Sequence, residues 1–395
     1  MAFKIKTLNN ISPQGLKLFG DNYAVAGDTS SPDAVLVRSA IVDTDEIPGM
    51  LAIARAGAGV NNISIDKATD KGVCVFNTPG ANANAVAELV FIMLGIAARK
   101  IHKSLEFSQG LAAEADDKAI SEKVEKGKAN FSGFELQGKT LGVIGLGKIG
   151  VLASNAGLQH GMNVIGYDPF PTVANVHLLN PRVEITPKLD EIIAKADVIT
   201  VHVPLSDKTR NLIGEAQLKK AKQGVILMNY ARKGIYDDAA VLAALETGKV
   251  SFYINDFPAK SMLGRPNVIC TPHLGASTAE SEENCAVMAV KQLRNYLEYG
   301  IVANSVNFPI IEAYPEEHTK TRVVVINKDV PNMIAQITQV IGKAGLNIVS
   351  FQNASNGKVG YNIIDLDKEM PEALTTEIKA IGNVVRVRVL RFAQK

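Results

Sequence analysis

The sequence predicts an α/β protein with a doubly wound parallel-sheet domain, a smaller parallel α/β domain and a C-terminal ferredoxin-like domain. Short apolar runs punctuated by glycine recur up to about residue 300, as expected for buried parallel strands joined by helices. One of these runs leads directly into a glycine-rich turn and a helical segment. Beyond residue 320 the order becomes strand, helix, strand, strand, helix, strand, which is typical of a ferredoxin-like domain.

The composition restricts the class of protein before any motif is considered. The 395 residues exceed the length that one hydrophobic core usually organises, so several domains are expected. The net charge is only +2, and no basic stretch indicates a nucleic-acid partner. Three cysteines without metal-ligand spacing predict neither a disulfide framework nor a metal site. The sequence shows no signal peptide and no bilayer-length apolar run, so we expect a cytoplasmic protein without a membrane partner.

The first domain is predicted from three buried strands at 34–37, 51–54 and 73–76, and it ends near residue 80. Residues 85–102 predict one long helix with a broad apolar face. Residues 114–128 are rich in Glu, Asp and Lys, and predict a solvated helix or an arm for oligomer contacts.

The second domain is predicted from six further strands separated by helical sequence, which describes a doubly wound sheet. Residues 303–320 contain Pro309 and Pro315 and predict a linker. The strands of the second domain are predicted at 141–144, 163–167, 197–203, 224–229, 250–254 and 267–271. The C-terminal elements are predicted at 322–327 (strand), 333–344 (helix), 348–354 and 360–367 (strands), 372–381 (helix) and 384–391 (strand).

A dinucleotide site is predicted at the glycine-rich turn Gly145-Leu-Gly147-Lys148-Ile149-Gly150. Its glycines allow a tight turn and a close approach to a pyrophosphate, while the helix that follows offers N–H groups and positive potential. The next strand ends at Asp168, whose carboxylate can accept hydrogen bonds from both ribose hydroxyls and repel a 2′-phosphate. The sequence therefore predicts NAD as the cofactor.

Two catalytic candidates follow neighbouring predicted strands. Arg232 comes just after strand 224–229, and His273 just after strand 267–271. Both lie at carboxyl ends of strands, the edge where open α/β sheets bind ligands. An arginine can bind a substrate carboxylate through two hydrogen bonds, and a histidine can exchange a proton with an alcohol during hydride transfer.

The motifs occur in the order found in D-2-hydroxyacid dehydrogenases, and the chain resembles that family over residues 1–305. The resemblance implies a flavodoxin-like substrate-binding domain (1–85 and 284–305), a dinucleotide-binding domain (86–283), a linker (306–320) and a C-terminal domain (321–395). It further implies that the helix near 86–102 helps to build a homodimer or a higher oligomer. The matching motifs are Arg38-Ser39, RAGAGVNN at 55–62, NTPG at 77–80, the glycine turn, VHVPL at 201–205, NYAR at 229–232 and PHLGAST at 272–278.

The resemblance also implies the residues that line the two binding regions. The cofactor-binding candidates are Gly145, Gly147, Lys148, Ile149, Gly150, Asp168, His202, Val203, Pro204, Tyr230, Ala231, Asp256, Gly275 and Ala276. The substrate-binding candidates are Arg38, Ser39, Arg55, Gly59, Asn61 and Asn77.

Within the family, the resemblance favours the branch that oxidises a phosphorylated 2-hydroxy acid, 3-phosphoglycerate. The basic residues Arg38 and Arg55 near the expected substrate cleft suit such a substrate. Residues 321–395 resemble an ACT domain, a small amino-acid sensor often fused to this branch. A dimerisation module without a ligand remains an open alternative, since Asn332 stands where ACT ligand sites usually carry Gly.

One position departs from the family pattern, because Lys260 stands where most members have a Glu that orients the catalytic His. A cation beside His273 lowers the imidazole pKa. Three interpretations are open. In the first, Lys260 is the acid/base, with a pKa lowered by Arg232 and partial desolvation. In the second, Lys260 holds the anionic substrate while His273 is the acid/base. In the third, the chain has lost catalysis and kept cofactor binding. The first is favoured, with His273 positioning substrate.

Two functional alternatives accompany the main interpretation. One is a dehydrogenase for an unphosphorylated acid such as glyoxylate or hydroxypyruvate. The other is a non-catalytic protein, either an NAD-sensing scaffold or an amino-acid-binding regulator. The intact Arg232 and His273 favour an enzyme, whereas Lys260 favours the scaffold.

Overall fold

The computed structural model describes residues 2–392, and the chain divides into two compact units. The first unit consists of Met1–Asn82 and Ala279–Lys395, and the second of Ala83–Thr278. No helix within residues 2–392 is both long and apolar enough to cross a membrane.

The first unit contains a five-stranded parallel sheet and a four-stranded antiparallel sheet. Its elements are β1 (Phe3–Leu8), α1 (Pro13–Leu16), β2 (Tyr23–Ala26), β3 (Ala34–Val37), β4 (Ala52–Arg55), α2 (Ile65–Asp70), β5 (Cys74–Phe76), α11 (Ala279–Tyr299), β13 (Thr321–Lys328), α12 (Met333–Lys343), β14 (Ile348–Ser355), β15 (Val359–Leu366), α13 (Glu372–Ala380) and β16 (Val384–Arg391), with a 3₁₀ turn at Lys17–Phe19.

The second unit contains a seven-stranded parallel sheet. Its elements are α3 (Ala83–Ala98), α4 (Ile101–Gly110), α5 (Asp117–Gly127), β6 (Thr140–Ile144), α6 (Lys148–Gln159), β7 (Asn163–Tyr167), α7 (Val173–Val176), β8 (Glu184–Ile185), α8 (Leu189–Lys195), β9 (Val198–Val201), α9 (Glu215–Lys220), β10 (Val225–Asn229), α10 (Asp238–Glu246), β11 (Val250–Asn255) and β12 (Val268–Cys270), with 3₁₀ turns at Leu111–Ala113 and Lys128–Phe131.

The five-stranded sheet has the order β2-β1-β3-β4-β5, the flavodoxin-like arrangement that was expected. Helix α11 covers one face, where Ala289, Val290 and Leu293 pack in one core with Leu36 and Ala54. Alternate residues of the same strands are buried on the other face, which explains why the strands read as continuous apolar runs. The three predicted strands are confirmed, and β1 and β2 were missed.

The seven-stranded sheet has the order β12-β11-β10-β9-β6-β7-β8 and is doubly wound. All six predicted strands are confirmed, and the short β8 was missed. The expected single helix at 85–102 is wrong, because the chain breaks at Lys100, which adopts left-handed dihedral angles (φ 50°, ψ 34°) between α3 and α4. The helix expected within 114–128 is confirmed as α5, whose N-terminus is capped by the Asp116 carboxylate.

The C-terminal part has the βαββαβ order and the sheet order β14-β15-β13-β16 that the sequence predicts. One face of this sheet packs on α12 and α13 through Val323, Val325 and their neighbours. The other face, including Val324 and Tyr361, joins the core beneath α11. This domain is therefore part of the first unit, whereas the sequence suggested a domain set apart by a linker.

The first half of the segment expected as a linker, 306–320, is packed against the first unit. Phe308 and Ile311 are 3% and 5% exposed and belong to the core of the first unit. The Asn307 side chain accepts a hydrogen bond from the backbone N–H of Val75 and donates one to the carbonyl of Val73. The Asn307 side chain thereby satisfies backbone groups of Val75 in β5 and of Val73 just before it, and these bonds hold the segment in place.

Candidate active site

The glycine-rich turn between β6 and α6 has the conformation that a pyrophosphate site requires. Gly145 has φ +96°, and a Cβ there would lie 2.8 Å from the carbonyl oxygen of His202. A Cβ on Gly150 would lie 1.8 Å from the carbonyl oxygen of Gly145, so only glycine allows this helix to approach the strand. A Cβ on Gly147 would meet no atom within 4 Å, which leaves open space over the N-terminus of α6. The turn fits a dinucleotide phosphate.

Asp168 lies at the end of β7, beside the glycine turn. Its carboxylate accepts hydrogen bonds from the backbone N–H groups of Leu146 and Phe170, both at 2.8 Å. These bonds tie the acid to the turn and leave carboxylate lone pairs for further donors. Lys148 is exposed and Ile149 half-buried in the first turn of α6.

His202, Val203 and Pro204 follow β9, next to the glycine turn. The Nε2 atom of His202 lies 3.0 Å from the hydroxyl of Thr200, and enclosure of the imidazole lowers its pKa to about 3. The ring is therefore neutral near pH 7. Val203 is half-buried and Pro204 exposed.

The structure brings the three catalytic candidates to adjacent strand ends. The last residues of β10 and β11, Asn229 and Asn255, are paired in register, and Asn255 pairs with Cys270 at the end of β12. Arg232, Lys260 and His273 each follow one of these strands within five residues. All three side chains are exposed.

Buried asparagines at two of these strand ends hold the loops that carry the candidates. The Asn229 side chain donates to the carbonyl of Arg232 at 3.0 Å and accepts from the N–H of Ala231 at 3.2 Å. The Asn255 side chain donates to the carbonyl of Phe257 at 2.9 Å and accepts from its N–H at 3.1 Å. Neither asparagine was among the predicted site residues, although each is the polar residue that ends an apolar strand.

Asp256 holds the loop that carries His273. One carboxylate oxygen accepts from the hydroxyl of Thr271 at 2.6 Å and the N–H of Leu274 at 2.8 Å, and the other accepts from the N–H of Gly275 at 2.8 Å. The backbone N–H of His273 also donates to the carbonyl of Asp256 at 3.1 Å. Asp256 was expected to contact the cofactor, but it is 2% exposed and its oxygens are engaged by the loop. Its position favours a positioning role.

Three other cofactor candidates lie below the surface. Tyr230 is 5% exposed within the core of the second unit, and burial raises the pKa of its phenol. Ala231 and Gly275 are also buried, so any contribution they make to a ligand is through the backbone. Ala276 is half-buried beside them.

The substrate-domain candidates lie at the carboxyl ends of adjacent strands in the first unit. Arg38 follows β3, and Arg55 ends β4 in register with Val37. The Nε atom of Arg55 donates to the carbonyl of Arg38 at 2.9 Å. The side chain of Arg38 forms an ion pair with Glu282 in the first turn of α11, with Nη2 and Oε1 2.5 Å apart.

Asn9, which the sequence analysis missed, shapes the Arg38 loop. Its side-chain oxygen accepts hydrogen bonds from the successive N–H groups of Arg38, Ser39 and Ala40, at 3.3, 2.8 and 2.8 Å. Asn9 comes directly after β1 and has φ +73°. Its signal in the sequence was weak because β1 itself was not recognised.

The remaining substrate candidates follow β4 and β5. The Asn77 side chain donates to the carbonyl of Ala58 at 2.7 Å, which ties the two loops together. Gly59 is half-buried and Asn61 exposed in the loop after β4. Cys285 of α11 is buried near Arg38 and Arg55, and burial raises the pKa of its thiol.

The fold and these residues define a class of protein: a two-unit α/β protein with a dinucleotide turn and an Arg, Lys and His at neighbouring strand ends. Residues 105–275 match the family model described as D-isomer specific 2-hydroxyacid dehydrogenase, NAD binding domain. A D-3-phosphoglycerate dehydrogenase of Haemophilus influenzae is 31% identical over 357 residues, which cover 87% of this chain and 82% of that protein. The chain belongs to the D-isomer specific 2-hydroxyacid dehydrogenase family.

Two further comparisons agree with this assignment. A D-3-phosphoglycerate dehydrogenase of Archaeoglobus fulgidus is 38% identical over 292 residues, which cover 71% of this chain and 52% of that protein. The chain thus spans about half the length of this curated relative. The crystal structure of an NAD⁺-bound 3-phosphoglycerate dehydrogenase of Entamoeba histolytica aligns with a TM-score of 0.61 and 26% identity, over 79% of this chain and all of that one.

Proposed function

We propose that the chain oxidises 3-phospho-D-glycerate to 3-phosphohydroxypyruvate with NAD, the first step of serine biosynthesis. The observation that carries the proposal is the placement of Arg232, Lys260 and His273 at adjacent strand ends of a dinucleotide-binding sheet. In the reaction the 2-hydroxyl group loses its proton, the C2–H bond breaks with transfer of hydride to NAD⁺, and a C=O bond forms. The relatives named D-3-phosphoglycerate dehydrogenase support this choice of substrate.

NAD, when bound, supplies the acceptor for the hydride. The residues that would hold it fit the group. Gly145, Gly147, Lys148, Ile149 and Gly150 offer a glycine turn and a helix N-terminus to the pyrophosphate. Asp168 offers carboxylate lone pairs to the ribose hydroxyls and would repel a 2′-phosphate, which favours NAD over NADP.

Each of the three candidate residues has a separate proposed role toward the substrate. Arg232 binds the carboxylate and polarises the reacting oxygen. Lys260 takes the proton of the 2-hydroxyl, and His273 positions the substrate. The alternative division, in which His273 takes the proton and Lys260 binds the anionic substrate, is also compatible with the exposed side chains. Arg38 and Arg55 are the proposed ligands of the phosphate.

A second candidate function is the oxidation or reduction of an unphosphorylated 2-hydroxy acid. The Arg38–Glu282 ion pair favours it, because a carboxylate already occupies one of the two arginines proposed for the phosphate. The solved structure of a D-lactate dehydrogenase of Escherichia coli, with a TM-score of 0.61 and 25% identity, shares the fold. A non-catalytic NAD-binding scaffold would need Arg232 and His273 to be dispensable.

We also propose that residues 321–391 form an ACT domain that takes an amino-acid effector, and that the chain assembles as a homodimer or a higher oligomer. The βαββαβ order and the antiparallel sheet support the first proposal. Dimerisation without an effector is the alternative. A cytoplasmic location is supported by three free cysteines, two of them buried, which suit a reducing compartment.

The test of the proposed function is NADH formation by the purified chain with 3-phosphoglycerate at mildly alkaline pH, with a trap for the product. Arg232→Ala and Lys260→Ala should each lower kcat/KM by about a hundredfold or more, the usual contribution of a substrate clamp or a general base. Lys233→Ala, which removes an exposed charge from the same loop as Arg232, is the control and should leave turnover intact.

The same assay distinguishes the two assignments of the proton acceptor, Lys260 or His273. If His273→Ala loses far more kcat than Lys260→Ala, the imidazole is the base and Lys260 only binds substrate. Absence of turnover by the parent chain with 3-phosphoglycerate, together with NADH binding, would refute the phosphoglycerate assignment.

A further inference from the structure

An ion pair occupies the place where the phosphate of the substrate is proposed to bind. The Nη2 atom of Arg38 and the Oε1 atom of Glu282 are 2.5 Å apart, and the two side chains are 40% and 43% exposed. Glu282 comes from the first turn of α11, whereas Arg38 follows β3. The carboxylate and the guanidinium therefore come from different elements of the first unit and meet at its surface.

The backbone of Arg38 is fixed, so only its side chain has to move to change partners. Asn9 accepts hydrogen bonds from the N–H groups of residues 38, 39 and 40. The Nε atom of Arg55 also donates to the carbonyl of Arg38. The loop therefore holds the Arg38 backbone in place while the side chain stays free to turn. The planar guanidinium can donate paired hydrogen bonds to either a carboxylate or a phosphate.

We propose that Glu282 is a specificity-determining residue that pairs with Arg38 in the absence of substrate and is displaced by the phosphate of a phosphorylated 2-hydroxy acid. The inference rests on the proposed function, because it takes Arg38 as a phosphate ligand. Exposed ion pairs contribute little stability, so a phosphate, which carries more negative charge than a carboxylate, displaces Glu282 easily. An unphosphorylated acid lacks the group that competes with Glu282, and the pair then stays intact.

The consequence is that Glu282 opposes the binding of the phosphorylated acid and has little effect on an unphosphorylated one. Glu282→Gln should lower KM for 3-phosphoglycerate about threefold to fivefold, the order expected for release of an exposed ion pair. KM for glycerate should stay within about 1.5-fold. In Arg38→Ala, the further change Glu282→Gln should have no effect on KM, because the partner is gone.

The matched control is Glu280→Gln, which removes the same charge from the same first turn of α11. Glu280 is exposed, and no ion pair is found for it among residues 2–392. It should leave both KM values unchanged. If Glu280→Gln lowers KM as much as Glu282→Gln does, or if glycerate gains equally, a general field effect replaces the specific competition and the inference fails.

Calorimetric titration of the full chain with 3-phosphoglycerate, without NAD, separates this inference from the proposed function. Tighter binding by Glu282→Gln, with no NADH formation in any variant, would uphold the competition while refuting the dehydrogenase assignment. Turnover by the parent chain together with unchanged or weaker binding by Glu282→Gln would overturn the inference alone. Absence of both turnover and binding would overturn both.

Discussion

At the level of single residues, buried polar side chains hold the loops of the candidate site in place. Asn229, Asn255 and Asp256 are each 2% exposed, and each satisfies the backbone of a loop that carries an exposed candidate. A buried polar group is costly unless it is hydrogen-bonded, so these bonds define the loop conformations strongly. The exposed Arg232, Lys260 and His273 gain their positions from this buried layer.

Asp256→Asn tests that argument. An amide offers one acceptor oxygen in place of two, so at least one of the Leu274 and Gly275 N–H groups loses its partner. We expect the free energy of unfolding to fall by about 1–3 kcal/mol, and kcat by about tenfold to a hundredfold through misplacement of His273. Urea denaturation and steady-state kinetics measure the two quantities.

The control for Asp256→Asn is Asp207→Asn, which neutralises an exposed carboxylate of the same unit and should change neither quantity. A loss of stability with unchanged kcat would show that the bonds of Asp256 serve the fold alone. The sequence singled out the acid at position 256, but not its hydrogen-bond partners, because these lie in the loop after the neighbouring strand. Asn9 escaped notice because β1, the strand before it, was not recognised.

At the scale of elements, the break between α3 and α4 shows how a distant segment overrides helix propensity. Residues 85–102 contain good helix formers and no proline, so a single helix was the reasonable prediction. In the structure the carbonyl of Ala98 accepts a hydrogen bond from the N–H of Phe134, at 3.0 Å. That carbonyl is therefore engaged by another segment, and the chain turns at Lys100.

Lys100 has φ 50°, a conformation that costs an L-residue with a side chain roughly 1 kcal/mol. Lys100→Gly should therefore be more stable than Lys100→Ala by about 1 kcal/mol, as measured by urea denaturation. Both variants lose the same contact of the lysine ammonium with the carbonyl of Asn130, so their difference isolates the backbone conformation. Equal stabilities would show that the strain is relieved elsewhere.

At the scale of the whole molecule, the C-terminal sheet is built into the first unit through buried arginines. Arg322 is fully buried and makes two hydrogen bonds of 2.7 Å to Asp365. Its remaining nitrogen donates to the carbonyls of Tyr299 and Ala313, at 2.8 and 2.6 Å. Arg388 donates to the carbonyls of Tyr296 and Leu297 near the end of α11. Arg322 and Arg388 thus satisfy the carbonyls of Tyr299 and Leu297, which lie in the last turn of α11.

Removal of one member of the buried pair should be far more costly than removal of both. Arg322→Met leaves the Asp365 carboxylate buried without its cation, and we expect a loss of about 3–5 kcal/mol in the free energy of unfolding. Arg322→Met combined with Asp365→Leu should recover much of that loss. Chemical denaturation monitored by circular dichroism measures each variant.

The control pair is Lys358–Asp66, which joins the turn before β15 to α2 at 3.4 Å and is well exposed. Lys358→Met should change the free energy of unfolding by less than about 1 kcal/mol. If Arg322→Met proves as mild as this control, the C-terminal sheet is held by its apolar face and the arginine pair is not essential.

Most of the elements, and the residue types beside the strand ends, can be predicted from the sequence alone. Local periodicity, or a residue type next to a strand end, was enough to predict most strands of both parallel sheets, the glycine turn with Asp168, the βαββαβ tail and the candidates Arg232, Lys260 and His273. The strands β1, β2 and β8 were missed. These signals can be recognised without knowing which residues pack against each other in the folded chain.

The residues that hold the candidate site, and the attachment of the C-terminal domain, become visible only in the folded chain. The bonds of Asp256, the three amides on Asn9, the Arg38–Glu282 pair and the buried Arg322 all join positions that are far apart in the chain or lie on different elements. A hydrogen bond is set by distance in space, and register between strands and loops fixes that distance only after the chain has folded. The sequence therefore predicts the exposed candidates, and packing selects the buried partners that hold them in place.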